Sequence, residues 1–119
     1  MTAIDDEDVV WRRVPAPYWV PDAAGVERPS TQAFQNTTRT DSMSVDVAKL
    51  RNTPGESLTG YSGQGLVSLI AGFLRTDCSQ SVQHSPTPAN LAHGDVTGAK
   101  PRSIRNKMAQ SCVVLVRSS

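Results

Sequence analysis

The longest apolar run lies near the middle of the chain, from Gly65 to Leu74, and no charge interrupts it before Arg75. Its residues suit a buried strand, because valine, isoleucine and phenylalanine favour sheets. Read with a helical period, the same run places its leucines, isoleucine and phenylalanine on one apolar stripe. Gly72 lowers the stability of a helix interior by roughly 1 kcal/mol relative to alanine. We therefore predict a strand over 65–75, with a helix as the open alternative.

Shorter segments rich in β-branched residues lie on both sides of this run. Residues 9–14 predict an edge strand, because each face mixes apolar with charged side chains. Segments 81–84 and 91–97 predict two more strands, the first pairing with the central run across a turn at 77–80. Residues 112–116 predict a terminal strand, which could lie within the sheet or pair, as an edge, with another chain.

Two further segments indicate helices. Residues 44–51 fit a strand through alternating Val45 and Val47, and also fit a short helix, which we favour. Near the C-terminus, Ile104, Met108 and Cys112 recur at helical spacing on one face. Together the elements predict the α+β class: a small, mostly antiparallel sheet with one clear C-terminal helix and long irregular loops.

The length of 119 residues fits a single domain, which we expect over residues 9–119. The acidic segment 1–8 is expected to be a disordered tail. Apolar residues make up 38% and aromatic residues 5% of the chain, which is a thin supply for a core. The net charge of +1 indicates neither a nucleic-acid nor a membrane partner. All charges after Asp95 are positive, however, which predicts a basic surface near the C-terminus.

Cysteine and hydropathy patterns exclude several classes of protein. Cys78 and Cys112 are too few for a disulfide framework and are not spaced like zinc ligands. We expect two free, buried thiols, with one disulfide between them as the open alternative. No segment approaches the roughly 20 apolar residues of a membrane span. We therefore expect a cytoplasmic protein with no membrane partner, no metal and no cofactor.

Four residues are candidates for catalysis: His84, His93, Arg12 and Ser30. His93 and Asp95 would share one face of a strand, so that the carboxylate could orient the imidazole as a general base. A histidine whose ring is satisfied by a backbone carbonyl is the structural alternative.

A second set of residues is basic and predicts binding of an anion. Arg12, Arg13 and Arg28, together with Ser30 and Thr31, could form a pocket, because guanidinium groups bind phosphate and carboxylate in a bidentate manner. Salt bridges to the chain's own acids are the structural alternative. On the C-terminal helix, Arg102, Arg105 and Lys107 could contact nucleic-acid phosphates.

Several short motifs resemble a family of short, uncharacterised bacterial proteins without an assigned activity. These motifs are Trp11-Arg12-Arg13-Val14-Pro15, Arg28-Pro29-Ser30, Met43-Ser44-Val45, Gly65-Leu66-Val67-Ser68, and the segment from Pro86 through His93 to Gly98 with Lys100. The resemblance spans residues 11–116. It implies no reaction and no catalytic residue, but it places polar signatures in the loops.

Three functional hypotheses follow. The first is a non-enzymatic protein-interaction component of a bacterial multi-protein system, motivated by small size and by the charge asymmetry between the two ends. The second is a small enzyme or ligand-binding domain with an Arg/Ser/His pocket. The third is nucleic-acid binding through the basic C-terminal helix. Whether the protein is an enzyme, and its oligomeric state, stay open at this stage.

Overall fold

The computed structural model describes residues 1–118 and confirms the α+β class. Its strands are β1 (Val9–Val14), β2 (Trp19–Pro21), β3 (Glu27–Pro29), β4 (Ser42–Val47), β5 (Gly65–Ile70), β6 (Ser81–His84), β7 (His93–Thr97) and β8 (Val113–Val116). Its helices are α1 (Pro54–Leu58), α2 (Ala71–Thr76) and α3 (Arg102–Ser111), with 3₁₀ turns at Ala16–Tyr18, Thr31–Phe34 and Ala48–Leu50. Six strands form one antiparallel sheet in the order β6-β7-β4-β1-β5-β8, and β2 pairs with β3 separately.

One face of the sheet carries the hydrophobic core. Along β1, Val10 and Val14 point to this face and are fully buried, and the register pairs Val10 with Val47 and Leu69. The 3₁₀ turn at 31–34, α2 and α3 cover this face with Phe34, Leu74 and Met108, each of which is fully buried. The two longer helices therefore share one side of the sheet, which we call the core face.

The opposite side, which we call the outer face, is more polar. Its residues on β4 and β7 alternate with the buried valines and methionine of those strands. They are Ser42, Ser44, Asp46, His93, Asp95 and Thr97. Helix α1 and the segment 85–92 contact one end of this face through hydrogen bonds to Asp46 and His93.

The central apolar run divides into a strand and a helix, so the prediction of one strand over 65–75 is only half correct. β5 ends at Ile70 and α2 begins directly at Ala71. Gly72 lies in the first turn of α2, where its N–H has no partner within the helix. That N–H donates to the carbonyl of Asp6 at 2.7 Å, and a Cβ atom at this position would lie 2.9 Å from the same oxygen. Close approach of the N-terminal segment thus explains the glycine.

Three other predictions about elements are wrong. Residues 44–47 belong to β4 rather than to a helix, because pairing with β1 and β7 on both sides overrides the weak local preference. β1 is central instead of an edge strand, since β4 and β5 flank it. β6 pairs with β7 and not with β5, because α2 carries the chain away from the end of β5.

The N-terminal segment 1–8, for which the sequence predicts disorder, lies against the sheet in the structure. Ile4 is 8% exposed and belongs to the core. The guanidinium of Arg75 donates to the Ile4 carbonyl at 2.7 Å and to the Asp6 carboxylate at 2.8 Å. One apolar side chain and one arginine thereby anchor a segment that is otherwise rich in acids.

The prediction of free, buried cysteines is confirmed for Cys78 and Cys112. Burial raises the pKa of both thiols, so they stay protonated at neutral pH. Within residues 1–118, the structure shows no helix that could span a membrane.

The close packing around Gly65 yields a first prediction. A Cβ atom there would lie 2.3 Å from the Trp19 ring and 2.6 Å from the carbonyl of Val116. We expect Gly65→Ala to lower the free energy of unfolding by about 2 kcal/mol, because neither the indole nor the β8 backbone can move freely. Gly55→Ala in α1 is the control, since its Cβ would meet only Thr53 at 3.8 Å. Equal urea-unfolding midpoints for the two variants would contradict the expectation.

Candidate functional site

The four predicted catalytic residues do not converge on one site. Arg12 points to the core face, on the side of Val10 and Val14. Its guanidinium donates to the carbonyls of Ala33 at 3.0 Å and Ser44 at 2.7 Å. Burial, reinforced by the neighbouring charge of Arg13, lowers the pKa of Arg12 to about 10. Arg12 therefore remains charged at neutral pH and ties the 3₁₀ turn at 31–34 to β4.

The two histidines lie on opposite faces of the sheet. His84 is 9% exposed on the core face, where its Nδ1 accepts the Thr2 amide at 2.8 Å. Since Nδ1 is an acceptor, Nε2 carries the proton and donates to the Leu91 carbonyl, also at 2.8 Å. His84 is thus a satisfied structural histidine, whereas His93 is on the outer face.

The predicted anion pocket does not form from its predicted members. Arg12 and Arg13 are neighbours on one strand and therefore point to opposite faces. Arg28 lies with Nη2 at 3.4 Å from the Cys112 carbonyl, at the C-terminal end of α3, where the helix dipole favours a cation. Ser30 begins the 3₁₀ turn at 31–34, and its N–H donates to the Tyr18 carbonyl at 2.7 Å.

The basic residues of α3 also contact their own chain. Arg105 donates through Nε to the Lys100 carbonyl at 3.1 Å, and Lys107 donates to the Asp77 carbonyl at 3.1 Å. Arg102 is exposed at the start of the helix. Two of the three cations are therefore held by carbonyl groups of their own chain.

A different cluster, centred on Asp46, forms at the covered end of the outer face. The Asp46 carboxylate is fully buried. Its Oδ2 accepts hydrogen bonds from Ser57 Oγ at 2.6 Å, Arg13 Nη1 at 3.1 Å and Arg51 Nη2 at 3.3 Å. Its Oδ1 accepts from Asn90 Nδ2 at 2.8 Å. We call these five residues the Asp46 cluster.

Opposing effects act on the charge of Asp46. Burial raises the pKa of the carboxyl group, whereas hydrogen bonds from Ser57 and Asn90 and the charges of Arg13 and Arg51 lower it. The lowering effects together are larger, so the pKa of Asp46 lies below its ordinary value. A buried carboxylate that is fully ionised at neutral pH therefore holds the two guanidinium groups in place.

A cavity of about 310 Å³ opens beside the Asp46 cluster. Its wall is formed by Arg13, Arg51, Glu56, Ser57, Thr59, Tyr61, Ala89 and Asn90. The Arg13 guanidinium lies 4.2 Å above the centre of the Tyr61 ring, in cation–π geometry. The Nε atom of Arg51 is buried without a hydrogen-bond partner in the described part of the chain.

Sequence reasoning named Arg13 but missed the rest of the cluster. Asp46 lies between Val45 and Val47, and this alternation indicates a strand with one polar face. The pattern Thr53-x-x-Glu56 likewise indicates the start of a helix at Pro54. No periodicity, however, relates Asn90 to Asp46, because only folding brings their segments together.

A second polar group on the outer face contains His93. Its Nδ1 lies 2.8 Å from the Ser85 carbonyl, and its Nε2 lies 3.2 Å from the hydroxyl oxygen of Ser44. A carbonyl only accepts, so Nδ1 carries the proton and Nε2 is free to accept one from Ser44. Asp95 Oδ1 is 3.9 Å from the same Nε2. A backbone carbonyl thus holds the His93 ring, which is the structural alternative that the sequence left open. Its Nε2 faces both Ser44 and Asp95.

Residues 1–118 contain no group of three or more histidine, cysteine, aspartate or glutamate side chains placed to hold a metal ion. No protein-family model matches the chain, and neither the curated proteins nor the solved structures contain a match to it.

The Asp46 cluster yields a second prediction. Asp46→Asn should lower the free energy of unfolding by about 3 kcal/mol at neutral pH, because the guanidinium groups lose their counter-charge. The pKa of Asp46 is depressed by folding, so its contribution is complete above the unfolded value of about 4 and is lost at lower pH. Urea unfolding at several pH values should show the wild-type advantage shrinking below about pH 4. A difference that is independent of pH would contradict this account.

Proposed function

We propose that this protein binds a small ligand with an anionic group in the cavity beside the Asp46 cluster. The observation that carries the proposal is that two guanidinium groups share one carboxylate at the cavity wall. The side chains of Arg13 and Arg51 are 15% and 23% exposed, so each extends from the buried carboxylate towards solvent. A carboxylate or phosphate group could use the donors that face the cavity.

The arrangement of Arg13 supports this proposal. Its Nη1 is occupied by Asp46 and by the carbonyl of Ser57, both at 3.1 Å. Tyr61 supports the plane of the guanidinium from one side. The group is therefore held in a fixed orientation before any ligand arrives, which reduces the entropy lost on binding.

Glu56 restricts the class of ligand. Its Oε1 accepts the backbone N–H of Thr53 at 2.9 Å, and Glu56 is one of the residues that line the cavity. A second negative charge close to the arginines disfavours a multiply charged anion. We therefore infer a small carboxylate that also carries a hydrogen-bond donor, such as a hydroxyl or ammonium group, for Glu56.

The third prediction tests this ligand class with three probes: glycolate, acetate and inorganic phosphate. Glycolate should shift the NMR signals of Arg13 and Tyr61 saturably, with a roughly millimolar dissociation constant. Acetate, which lacks the hydroxyl donor, and phosphate, which carries more charge, should bind more weakly. Arg13→Gln should abolish the shifts, while Arg102→Gln, which changes an exposed arginine on α3, should leave them unchanged.

Glu56→Gln sharpens the same experiment, since glutamine preserves the helix-start hydrogen bond to Thr53. This variant should bind phosphate several-fold more tightly and lose the preference for glycolate. Absence of a saturable shift with all three probes, or equal weakening by Arg13→Gln and Arg102→Gln, would overturn the proposal.

Protein interaction is a second candidate function, and the edge strand β8 favours it. The two edges of the sheet differ. On β6, Arg75 donates to the outward carbonyl of Val82 at 2.9 Å, and the N-terminal segment lies alongside. On β8, no side chain or loop of residues 1–118 bonds to the backbone of residues 113–116 beyond the pairing with β5.

The side chains of β8 match a second copy of the same strand. Val113 and Leu115 are 59% and 40% exposed, and β8 contains no charge. Two identical strands related by a two-fold axis pair antiparallel with matching donors and acceptors, and no like charges oppose each other. We therefore propose a homodimer through β8. Four residues make a small contact, well below the roughly 800 Å² per partner of a stable interface, so this dimer is weak.

The fourth prediction concerns this edge. Sedimentation velocity over a concentration series should show reversible dimerisation, and Leu115→Lys should shift the dissociation constant at least tenfold to weaker binding. Leu91→Lys is the matched control, because Leu91 is 73% exposed on a loop away from β8. A monomer at all concentrations, or equal effects of the two variants, would exclude the homodimer. Nucleic-acid binding through α3 stays an untested prediction.

A further inference from the structure

We infer that Ser44 is an activated nucleophile and that His93 is its general base. This inference is independent of the proposed ligand cavity and of the proposed dimer. Ser44 Oγ and His93 Nε2 are 3.2 Å apart, within reach of proton transfer during a reaction. Both side chains are partly exposed on the outer face, so a reactant can approach them.

The fold holds the two side chains in this arrangement. Ser44 lies on β4 and His93 on β7, and the register pairs Ser44 with Asp95 and Asp46 with His93. Two neighbouring strands of a six-stranded sheet thus fix both backbones. The hydrogen bond from Nδ1–H to the Ser85 carbonyl, at 2.8 Å, fixes the ring and its tautomer. A nucleophile within reach of a base that a third group orients is the arrangement found in covalent catalysis.

Asp95 adds an electrostatic contribution. Its Oδ1 lies 3.9 Å from His93 Nε2, so a protonated imidazole would gain an ion pair. The carboxylate therefore stabilises the charge that appears on His93 when Ser44 loses its proton. Because it acts through His93, Asp95 is a positioning residue rather than a catalytic one.

The chemistry that fits this pair is acyl transfer from an ester. The hydroxyl proton of Ser44 moves to His93 Nε2 while Oγ forms a bond to the acyl carbon. The bond between the acyl carbon and the leaving oxygen then breaks, and the alcohol departs with the proton from Nε2. Water attacks the resulting acyl-serine, gives one proton to Nε2, and releases the carboxylic acid as Ser44 recovers its proton. Atoms and charges balance without an additional reactant.

The surrounding serines supply an internal control. Ser42 lies on the same strand and the same face as Ser44, but its hydroxyl pairs with Thr97 Oγ1 at 2.7 Å and not with a histidine. The two serines therefore share one strand and one face, but only Ser44 has a histidine base beside it.

The fifth prediction is covalent labelling of Ser44 by a neutral alkyl fluorophosphonate, with peptide mapping by mass spectrometry. Ser44 should be labelled at least tenfold faster than Ser42 in the unaltered protein. His93→Ala should reduce the labelling of Ser44 at least a hundredfold. p-Nitrophenyl acetate should likewise acetylate Ser44 and release p-nitrophenolate, and Ser44→Ala should abolish this release.

Two comparisons keep the inference falsifiable. The ratio of Ser44 to Ser42 labelling needs no variant, so it holds even where His93→Ala fails to fold. Asp95→Asn should slow labelling several-fold while leaving the unfolding midpoint unchanged, which a purely structural role would not produce. Labelling of neither serine, equal labelling of both, or Ser44 labelling that is unaffected by a folded His93→Ala variant would overturn the inference.

Discussion

The buried negative charge of Asp46 is the constraint on which the covered end of the outer face depends. A carboxylate in a low-dielectric interior is unfavourable unless several donors surround it. Here the donors come from β1, from the segment after the 3₁₀ turn at 48–50, from α1 and from the segment before β7. Four separate parts of the chain therefore donate hydrogen bonds to one carboxylate. The cavity lies beside this meeting point and is lined by Arg13, Arg51, Ser57 and Asn90.

The asymmetry between the two faces of the sheet explains where chemistry is available. Both longer helices lie on the core face, where apolar side chains of Phe34, Leu74 and Met108 exclude water. On that side, Arg12 and His84 are satisfied by backbone groups and have structural roles. In the described part of the chain, a short helix and two loop segments, one of which carries Tyr61, cover one end of the outer face. Polar side chains of β4 and β7 beyond that end remain accessible. The Asp46 cluster and the Ser44–His93 pair therefore belong to the same face.

Part of this arrangement was predictable from local pattern. The β-branched residues of β1, β6, β7 and β8 and the helical spacing in α3 are strong enough to identify those elements and the α+β class. His93 and Asp95 share a face because residues two apart on any strand do so. The adjacent pair Arg12 and Arg13 was misleading for the same reason, since neighbours on a strand point to opposite faces. Prediction of a common pocket for both overlooked that rule.

The sequence by itself therefore determined the class of the fold and favoured free thiols. Within each strand that it predicted, it also determined which residues share a face. These properties depend on local periodicity and composition, which a single chain displays directly. Tertiary structure alone decided that residues 44–47 form a strand, that β1 is central, and that Asp46 meets Arg13, Arg51, Ser57 and Asn90. These outcomes depend on which segments become neighbours, and a contact such as that between Asp46 and Asn90 has no local signal. The contact between Ser44 and His93 is of the same kind. It joins two segments that are distant in sequence, and its 3.2 Å distance exists only because β4 pairs with β7.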